Sequence, residues 1–427
     1  MMKRWFGLIS FTLIFTLILA GCGGKSADEA SGSGSNGKEV VAWAWNINVP
    51  VLEKAAEEYQ KENPDFKLKV VDMGREDVYS KLTTGLQAGG KGLPDIVLVE
   101  DDRFQGYVNS FPKAFLNLSE KGFDEHGDKF PEFKKQLLSK DGDMYGFPFD
   151  AGPTGVFYRT DFFEQAGVDP ATIETWDDYI AAGKKIKEKV GVDLLGLDLN
   201  NDDGLFRIAL TQQGTFYFDD KGELNLTSKE SQQAMELNKK LKDAGVVRNT
   251  VGWDASISAL AEGKVASSPS GAWLYGSIEQ QAPDLKGKWG VFLLPSFEKG
   301  GNRASNLGGS NYVVTANSKK ADEAYKFMEY FSTTDSVQEA AMEGGLFPSL
   351  NTVYDSELFT QPDEYFSNQT IWKTFADEMQ DIKPVNFTGN YSLANDEAVK
   401  AVSEVTNGKD IKKTLEAAEK RLENRIK

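Results

Sequence analysis

Hydrophobic residues follow two different spacings between residues 39 and 100. Short runs that alternate or stay apolar are typical of strands, and apolar residues three and four positions apart are typical of helices. The pattern predicts strands at 40–45, 66–71 and 96–99 and helices at 51–62 and 76–88. This βαβαβ order favours an α/β layer over a β-sandwich, and the fully apolar run at 96–99 favours a buried parallel strand.

The remainder of the chain keeps the same mixture of spacings. The predicted helices lie at 177–190, 204–213, 228–244 and 320–332, and the predicted strands at 194–199 and 311–315. Residues 147–159 carry Gly152, Pro153 and Gly155 between strand-like ends, which is typical of a chain that crosses from one domain to another. Apolar positions at helical spacing from 411 to 426 predict a final helix.

The first 38 residues have a different character. Two basic residues precede an apolar run of 16 residues at 5–20, which is too short and too abruptly ended for a comfortable membrane span. The run closes with LAGC at 19–22, which resembles a bacterial lipoprotein cleavage signal. We therefore expect a signal peptide at 1–21, a lipidated Cys22, and a flexible Gly/Ser-rich tether over 22–38. The protein would then sit on the outer face of the cell membrane; an ordinary secretory signal is the alternative.

Composition excludes several kinds of chemistry. The 427 residues include one His and one Cys, so a Cys/His zinc site, a His-based catalytic triad and an intrachain disulfide are all excluded. The 65 acidic residues exceed the 48 basic residues, and the net charge of −17 argues against a nucleic-acid partner. We expect no metal and no cofactor. The length predicts two or more domains.

Several short motifs are spread over most of the chain. They are LPDIV at 93–97 with DRFQGY at 102–107, YGFP at 145–148 with FYR at 157–159 and TWD at 175–177, GAW at 271–273, and GGSNY at 308–312. Together with the lipoprotein-like start, they resemble the extracellular solute-binding proteins of ABC importers, in the oligosaccharide-binding group typified by maltose-binding protein.

The resemblance implies a fold and a function. The fold would be a periplasmic-binding-protein fold, in which two α/β lobes are joined by a hinge and the ligand lies in the cleft between them. We expect lobe 1 at 39–150 plus 307–360 and lobe 2 at 151–306 plus 361–427. The protein would be a monomer that captures a sugar, most simply a short oligosaccharide, and delivers it to ABC permease subunits in the membrane. It would not be an enzyme.

A sugar site needs flat aromatic rings for the C–H faces of the ligand, and carboxylates, amides and Arg for its hydroxyl groups. Such residues lie at the carboxyl ends of strands, where α/β proteins bind ligands, at the expected crossovers between lobes, and at two helix starts. The candidates are Trp43, Trp45, Asn46, Glu100, Asp101, Asp102, Arg103, Asp150, Trp253, Trp273, Tyr275, Gly309, Ser310 and Asn311.

The resemblance carries only part of this set. Asp102, Arg103 and Trp273 match ligand-contacting positions of the family, whereas Glu100 and Asp101 have no charged match there. Asp150 is out of register with the family carboxylate and could equally cap the hinge. Trp43 and Trp45 could belong to the core, and the acids after residue 99 could simply favour a helix N-terminus.

Two other functions stay open at this point. The acids Glu100, Asp101 and Asp102 beside aromatic residues would also suit a polyamine, bound by the same fold. A tethered glycan-processing enzyme is the less favoured alternative, because 65 acidic residues guarantee chance carboxylate pairs and none lies in a recognised motif.

Overall fold

The computed structural model describes residues 39–426, so the expected signal peptide and Cys22 lie outside the described residues. The strands are β1 (Val40–Ala44), β2 (Leu68–Asp72), β3 (Ile96–Glu100), β4 (Ser139–Lys140), β5 (Asp143–Met144), β6 (Phe147–Arg159), β7 (Asp193–Leu197), β8 (Val247–Asn249), β9 (Val265–Gly271), β10 (Trp289–Leu293), β11 (Asn306–Val314) and β12 (Phe347–Pro348).

Helices connect these strands and cover the sheet. They are α1 (Asn48–Glu62), α2 (Arg75–Gln87), α3 (Asp101–Ser110), α4 (Glu132–Leu137), α5 (Thr160–Ala166), α6 (Trp176–Lys189), α7 (Gly204–Gln212), α8 (Lys229–Asp243), α9 (Gly252–Ala261), α10 (Leu274–Gln281), α11 (Ala321–Thr333), α12 (Asp335–Glu343), α13 (Glu357–Thr360), α14 (Ile371–Glu378), α15 (Tyr391–Thr406) and α16 (Ile411–Ile426). In residues 39–426, no helix combines the length and the apolar character that a bilayer span requires.

The strands form a mixed sheet in the order β2-β1-β3-β11-β6-β9-β7-β8. The first sheet is β2-β1-β3, which is parallel, with β11 antiparallel beside β3. The second sheet is β9-β7-β8, also parallel, with β10 on the other side of β6. The prediction of an α/β fold is confirmed, and each predicted helix and strand occurs within a few residues of its expected bounds.

Strand β6 joins the two sheets. Its first half pairs with β11, and its second half pairs with β9 and β10, and all 13 of its residues are buried. At the point of exchange a Cβ on Gly152 would overlap the carbonyl oxygen of Leu307, so only glycine lets the two chains cross this closely. The expected crossing at 147–159 is therefore one continuous strand.

A buried ion pair ties this crossing to the helices of the first sheet. Lys134 in α4 is 0% exposed, and its Nζ lies 2.6 Å from Asp101 Oδ1 and 2.6 Å from the carbonyl oxygen of Asp150. Asn311 Nδ2 donates to the same Asp101 oxygen at 2.6 Å. A buried lysine ammonium needs an opposite charge and hydrogen-bond acceptors to compensate for its lost hydration. These contacts therefore hold α3, α4, β6 and β11 in one arrangement.

Lys134→Met should lower the free energy of unfolding by about 3–5 kcal/mol, because it leaves the buried Asp101 carboxylate without its counter-charge. The matched control is Lys135→Met, since Lys135 is partly exposed and pairs only with Glu132 at 2.8 Å. We expect a change below about 1 kcal/mol for the control. Urea unfolding of both variants measures this, and similar values for the two would contradict the role given to the ion pair.

Candidate ligand-binding site

The first group of candidate residues lies at the carboxyl end of β1. Trp45 follows the strand, is only 6% exposed, and packs edge-on against Tyr79 with ring centroids 5.7 Å apart. Asn46 is exposed and has a φ of +52°, a conformation that asparagine tolerates better than most residues. Trp43 is half-buried within β1. Trp45 therefore supports the strand end, while Asn46 is open to solvent.

Glu100 ends the neighbouring strand β3 and is held by partners within the protein. Its Oε2 accepts hydrogen bonds from Arg75 Nε at 2.7 Å and from Tyr79 Oη at 3.0 Å. Burial raises the pKa of Glu100, and the nearby Asp102 charge raises it further, whereas Arg75 opposes both effects. Tyr79 thus links Trp45 and Glu100, although sequence reasoning missed it.

Five candidates come together at the strand crossing. The buried ammonium of Lys134 contacts Asp101 and the carbonyl oxygens of Asp150 and Ser310, and Asn311 and Gly309 lie next to Asp101. Asp150 Oδ1 accepts from the Ser310 N–H at 2.6 Å, and burial raises the pKa of Asp150 to about 7. Gly309 has a φ of +108°, and a Cβ there would lie 2.5 Å from Asp101 Oδ2. The structure places this group inside the crossing, where Asp101 Oδ2 and Asn311 Oδ1 are buried without a hydrogen-bond partner in the described residues.

Asp102 and Arg103 point the other way, toward helices of the second sheet. Arg103 Nη1 donates to Ser392 Oγ at 2.7 Å, and its guanidinium lies 5.4 Å from the ring of Tyr79 and 5.9 Å from that of Tyr391. Asp102 Oδ2 lies 3.8 Å from Arg207 Nη1. Asp102 Oδ1 and Arg103 Nε lie 3.9 Å from each other, and neither has a hydrogen-bond partner in the described residues.

The second sheet supplies two polar groups that sequence reasoning left out. Arg207 in α7 donates to Tyr391 Oη at 3.2 Å and pairs with Asp203 at 3.0 Å. Burial raises the pKa of Asp203 to about 6, and the Arg207 charge opposes this. Arg207 is the only charged residue in α7, a largely apolar helix, and this was the available signal in the sequence. The residues around Tyr391 differ too much from the family pattern for Tyr391 to be matched to a family position.

The aromatic candidates of the second sheet divide into two sets. Trp273 is half-buried, and its Nε1 donates to the carbonyl oxygen of Leu307 at 2.8 Å, beside the crossing. Trp253 lies against it with ring centroids 5.4 Å apart and an interplanar angle of 51°. Tyr275 instead packs with Phe366 and Trp372, at 5.0 and 4.7 Å between centroids. Trp273 and Trp253 thus form a pair, and Tyr275 belongs to a separate aromatic cluster.

Comparison with known proteins identifies the class. The sequence matches the family described as bacterial extracellular solute-binding protein over residues 54–367. A lactose-binding protein of Rhizobium radiobacter is 38% identical over 391 residues, covering 89% of this chain and 91% of the relative. An arabinooligosaccharide-binding protein of Bacillus subtilis is 30% identical over 396 residues, covering 90% of each chain.

A solved structure agrees with these sequence matches. The ABC transporter associated binding protein from B. animalis subsp. lactis, in complex with beta-1,6-galactobiose, gives a TM-score of 0.74 at 27% identity. The match covers 91% of this chain and 97% of that one. The two sheets sharing β6, with polar residues at their strand ends, thus form a periplasmic-binding-protein fold. The chain belongs to the bacterial extracellular solute-binding protein family, and this confirms the resemblance found in the sequence.

Asp150 makes stability depend on pH. Its pKa is about 7 in the folded protein, against an ordinary value of 3.8, so the folded state binds the proton more tightly. Protonation of Asp150 therefore stabilises the folded state, and this contribution to the free energy of unfolding decreases as pH rises from about 4 to about 7. Asp150→Asn removes the titration, so the loss of stability from pH 5 to pH 8 should be about 1–3 kcal/mol smaller than in the unaltered protein.

Urea unfolding at the two pH values measures this difference. The control is Asp141→Asn, because Asp141 is exposed and lies in a turn with a φ of +54° that asparagine accepts. The control should follow the unaltered protein at both pH values. If Asp150→Asn also follows it, the buried carboxyl does not titrate in this range.

Proposed function

We propose that this chain is the substrate-binding component of an ABC importer and that it captures a short, neutral oligosaccharide. The observation that carries the proposal is the charge balance of the site. Glu100, Asp101 and Asp102, at the end of β3 and the start of α3, each have a cationic partner in the protein, and a half-buried Trp273 lies at the crossing beside Leu307. Such a site suits a ligand with hydroxyl groups and C–H faces and no net charge.

The same balance argues against a polyamine. Glu100 pairs with Arg75 and Asp101 with Lys134, and Asp102 lies 3.8 Å from Arg207. A cationic ligand would have to displace these partners or add positive charge to a site that already holds three Arg side chains. The two relatives named for lactose and arabinooligosaccharide support the choice of a sugar.

Within the site we assign direct ligand contact to a subset of the candidates. Asn46, Asp102, Arg103 and Trp273 would contact the sugar, together with Arg207 from the second sheet. Each Arg side chain can donate hydrogen bonds to two neighbouring hydroxyl oxygens of the sugar. The Asp102 carboxylate can accept a hydrogen bond from a sugar hydroxyl group. The buried candidates at the crossing and Trp45 would position these groups, and Tyr275 would support α10.

Ligand capture would proceed by closure of two lobes about the crossing. We retain lobe 1 at 39–150 plus 307–360 and lobe 2 at 151–306 plus 361–427 as the moving units. The bonds from Arg103 to Ser392 and from Asp102 to Arg207 run from the first-sheet helix α3 to second-sheet helices, so they would form on closure. The closed shape of a monomer would then be what the membrane permease recognises.

We propose that the protein binds the sugar without catalysing a reaction. Family members are binding proteins, and Glu100 and Asp101 are both held by internal cations. A glycosidase needs one carboxyl group to donate a proton and another to attack or activate water. We therefore expect bound glycans to be released intact.

Purified protein should gain several degrees in Tm with lactose, galactobiose or arabino-oligosaccharides and none with putrescine or spermidine, since ligands of the native state stabilise it. Trp273→Ala should abolish the gain, because it removes the aromatic surface at the crossing. The control is Phe297→Ala, since Phe297 is also half-buried but packs near Trp176. A shift with polyamines alone, or cleavage of the glycans on incubation, would refute the proposal.

We also propose that Cys22 carries the lipid anchor that keeps the protein at the outer face of the membrane. Cells grown with labelled palmitate should incorporate label into the unaltered protein and none into Cys22→Ser, because the chain contains no other Cys. The unaltered protein should sediment with membranes. Release of unlabelled protein into the medium would instead indicate an ordinary secretory signal.

A further inference from the structure

The guanidinium of Arg207 lies between two carboxylates that belong to opposite sides of the protein. Its Nε lies 3.0 Å from Asp203 Oδ1, four residues earlier at the start of α7, and its Nη1 lies 3.8 Å from Asp102 Oδ2 in α3. The Arg207 side chain is 21% exposed, whereas that of Asp203 is 1% exposed. The buried carboxylate therefore holds the guanidinium on the second-sheet side and leaves its outer part at the boundary with α3.

Asp203 is itself held by two segments that are distant in sequence. Tyr217 Oη donates to Asp203 Oδ2, and Asn395 Nδ2 in α15 donates to Asp203 Oδ1 at 3.1 Å. Asn395 Nδ2 also lies 3.3 Å from Tyr217 Oη, so the three side chains form a closed set of polar contacts. A buried carboxylate with these fixed donors keeps one orientation toward Arg207.

Stacked aromatic rings fix the position of the Tyr217 hydroxyl group. The Tyr217 ring lies between those of Phe206 and Tyr391, at centroid distances of 6.3 and 5.9 Å and with an interplanar angle of 21° in both cases. Tyr391 Oη in turn accepts a hydrogen bond from Arg207 Nη1 at 3.2 Å. Asp203 and Tyr391 thus hold two of the three guanidinium nitrogens of Arg207.

The third nitrogen of Arg207, Nη2, is different. Its listed acidic neighbour is Asp202, with Oδ1 at 3.9 Å, which is beyond hydrogen-bond distance. Within residues 39–426, Nη2 donates no hydrogen bond to a protein acceptor, and it is not among the buried atoms that lack one. A sugar hydroxyl group can therefore reach this donor while Asp203 and Tyr391 hold the other two nitrogens.

The surroundings of Asp203 also set the pH at which it loses its charge. Burial raises the pKa of Asp203 to about 6, and the Arg207 charge opposes this effect. The Asp202 charge raises the pKa further, whereas the hydrogen bond from Tyr217 lowers it. Asp203 therefore changes its charge between pH 5 and pH 8.

The other groups that face Asp203 do not mask this change. They are Arg207 and Asp202 at the start of α7, Tyr217 in the segment after α7, and Tyr391 in α15. Burial raises the pKa of both Tyr residues well above the ordinary value of 10.0, so they stay neutral, and Arg207 stays charged.

We propose that Asp203 is a positioning residue for sugar binding, whose ionised carboxylate orients Arg207 so that Nη2 donates to a sugar hydroxyl group. Tyr217 and Asn395 hold Asp203 in place for this role. When Asp203 takes up a proton, it no longer attracts the guanidinium, which is then drawn toward Asp102. The affinity for the sugar therefore falls as pH falls through about 6. This inference rests on the proposed function and adds a pH range for binding to it.

Titration calorimetry on the intact chain in mild detergent, between pH 5 and pH 8, tests the proposal. The probe is whichever of lactose, galactobiose and arabinobiose gives the largest gain in Tm. If only the ionised form binds, the Kd should be about tenfold higher at pH 5 than at pH 7.5, because about one molecule in ten is then ionised. Asp203→Asn should raise the Kd at pH 7.5 by about three- to tenfold and make it independent of pH within about twofold.

Two further variants distinguish a positioning role from a merely structural one. Tyr217→Phe removes a hydrogen bond that lowers the pKa of Asp203, so the midpoint of the Kd curve should move to higher pH. Asp202→Asn is the matched control, since its side chain is 54% exposed and lies next to Asp203. It should keep the rise in Kd at low pH, with a midpoint at the same or slightly lower pH, because the Asp202 charge raises the pKa of Asp203. If Asp203→Asn fails to fold, the direction of these two shifts decides.

The outcomes that overturn this inference differ from those that overturn the proposed function. A Kd of the unaltered protein that is constant from pH 5 to pH 8 would refute it. A rise in Kd at low pH that persists in Asp203→Asn would also refute it and would indicate another acid, such as Asp150, whose pKa is about 7. If none of the sugars binds the unaltered protein at any pH, the proposed function is wrong and this inference fails with it.

Discussion

The arrangement of this protein depends on one buried ion pair. Lys134 lies under the place where β6 passes from one sheet to the other, and its ammonium contacts Asp101 and the carbonyl oxygen of Asp150. Because Asp101 is the first residue of α3, the same contact fixes the helix that carries Asp102 and Arg103. Because an unpaired buried charge is costly, this contact holds the crossing, α3 and the candidate residues on it in a single arrangement.

The electrostatic balance of the site follows from this construction. A chain with a net charge of −17 could be expected to attract cations, yet the acids nearest the site are matched by Arg75, Lys134 and Arg207. The excess negative charge therefore lies elsewhere, where it favours solubility. What remains for a ligand is a set of hydrogen-bonding groups together with the half-buried indole of Trp273, and this combination suits sugars better than charged solutes.

The sharing of β6 between two sheets also marks the place about which the proposed lobe closure would occur. The crossing is short, and glycines at 152 and 309 allow close contact between its strands. On either side the sheets carry their own helices, and α15 and α16 pack together on α8. The polar contacts from α3 to Ser392 and Arg207 are made by side chains alone, and no strand of either sheet takes part in them.

The alternation of apolar and polar residues was sufficient to predict the α/β fold, the bounds of the main helices and the crossing at 147–159. It missed β9, because that strand contains Pro269 and three serines and shows no apolar run, although it is a central strand. The motifs were sufficient to predict the family. They could not tell which of two adjacent candidates lies inside the crossing and which faces the second sheet, since Asp101 and Asp102 are adjacent in sequence but contact different partners.

Only the tertiary structure decided that separation. Asp101 turns toward Lys134, which is 33 residues away, whereas Asp102 turns toward Arg207 on a helix beyond the crossing. Likewise, Trp273 and Tyr275 lie two positions apart, yet one faces Leu307 and Trp253 and the other packs with Phe366 and Trp372. Local sequence determines which residues can form a strand or a helix. The partner of each side chain depends on contacts between distant segments, and these exist only in the folded chain.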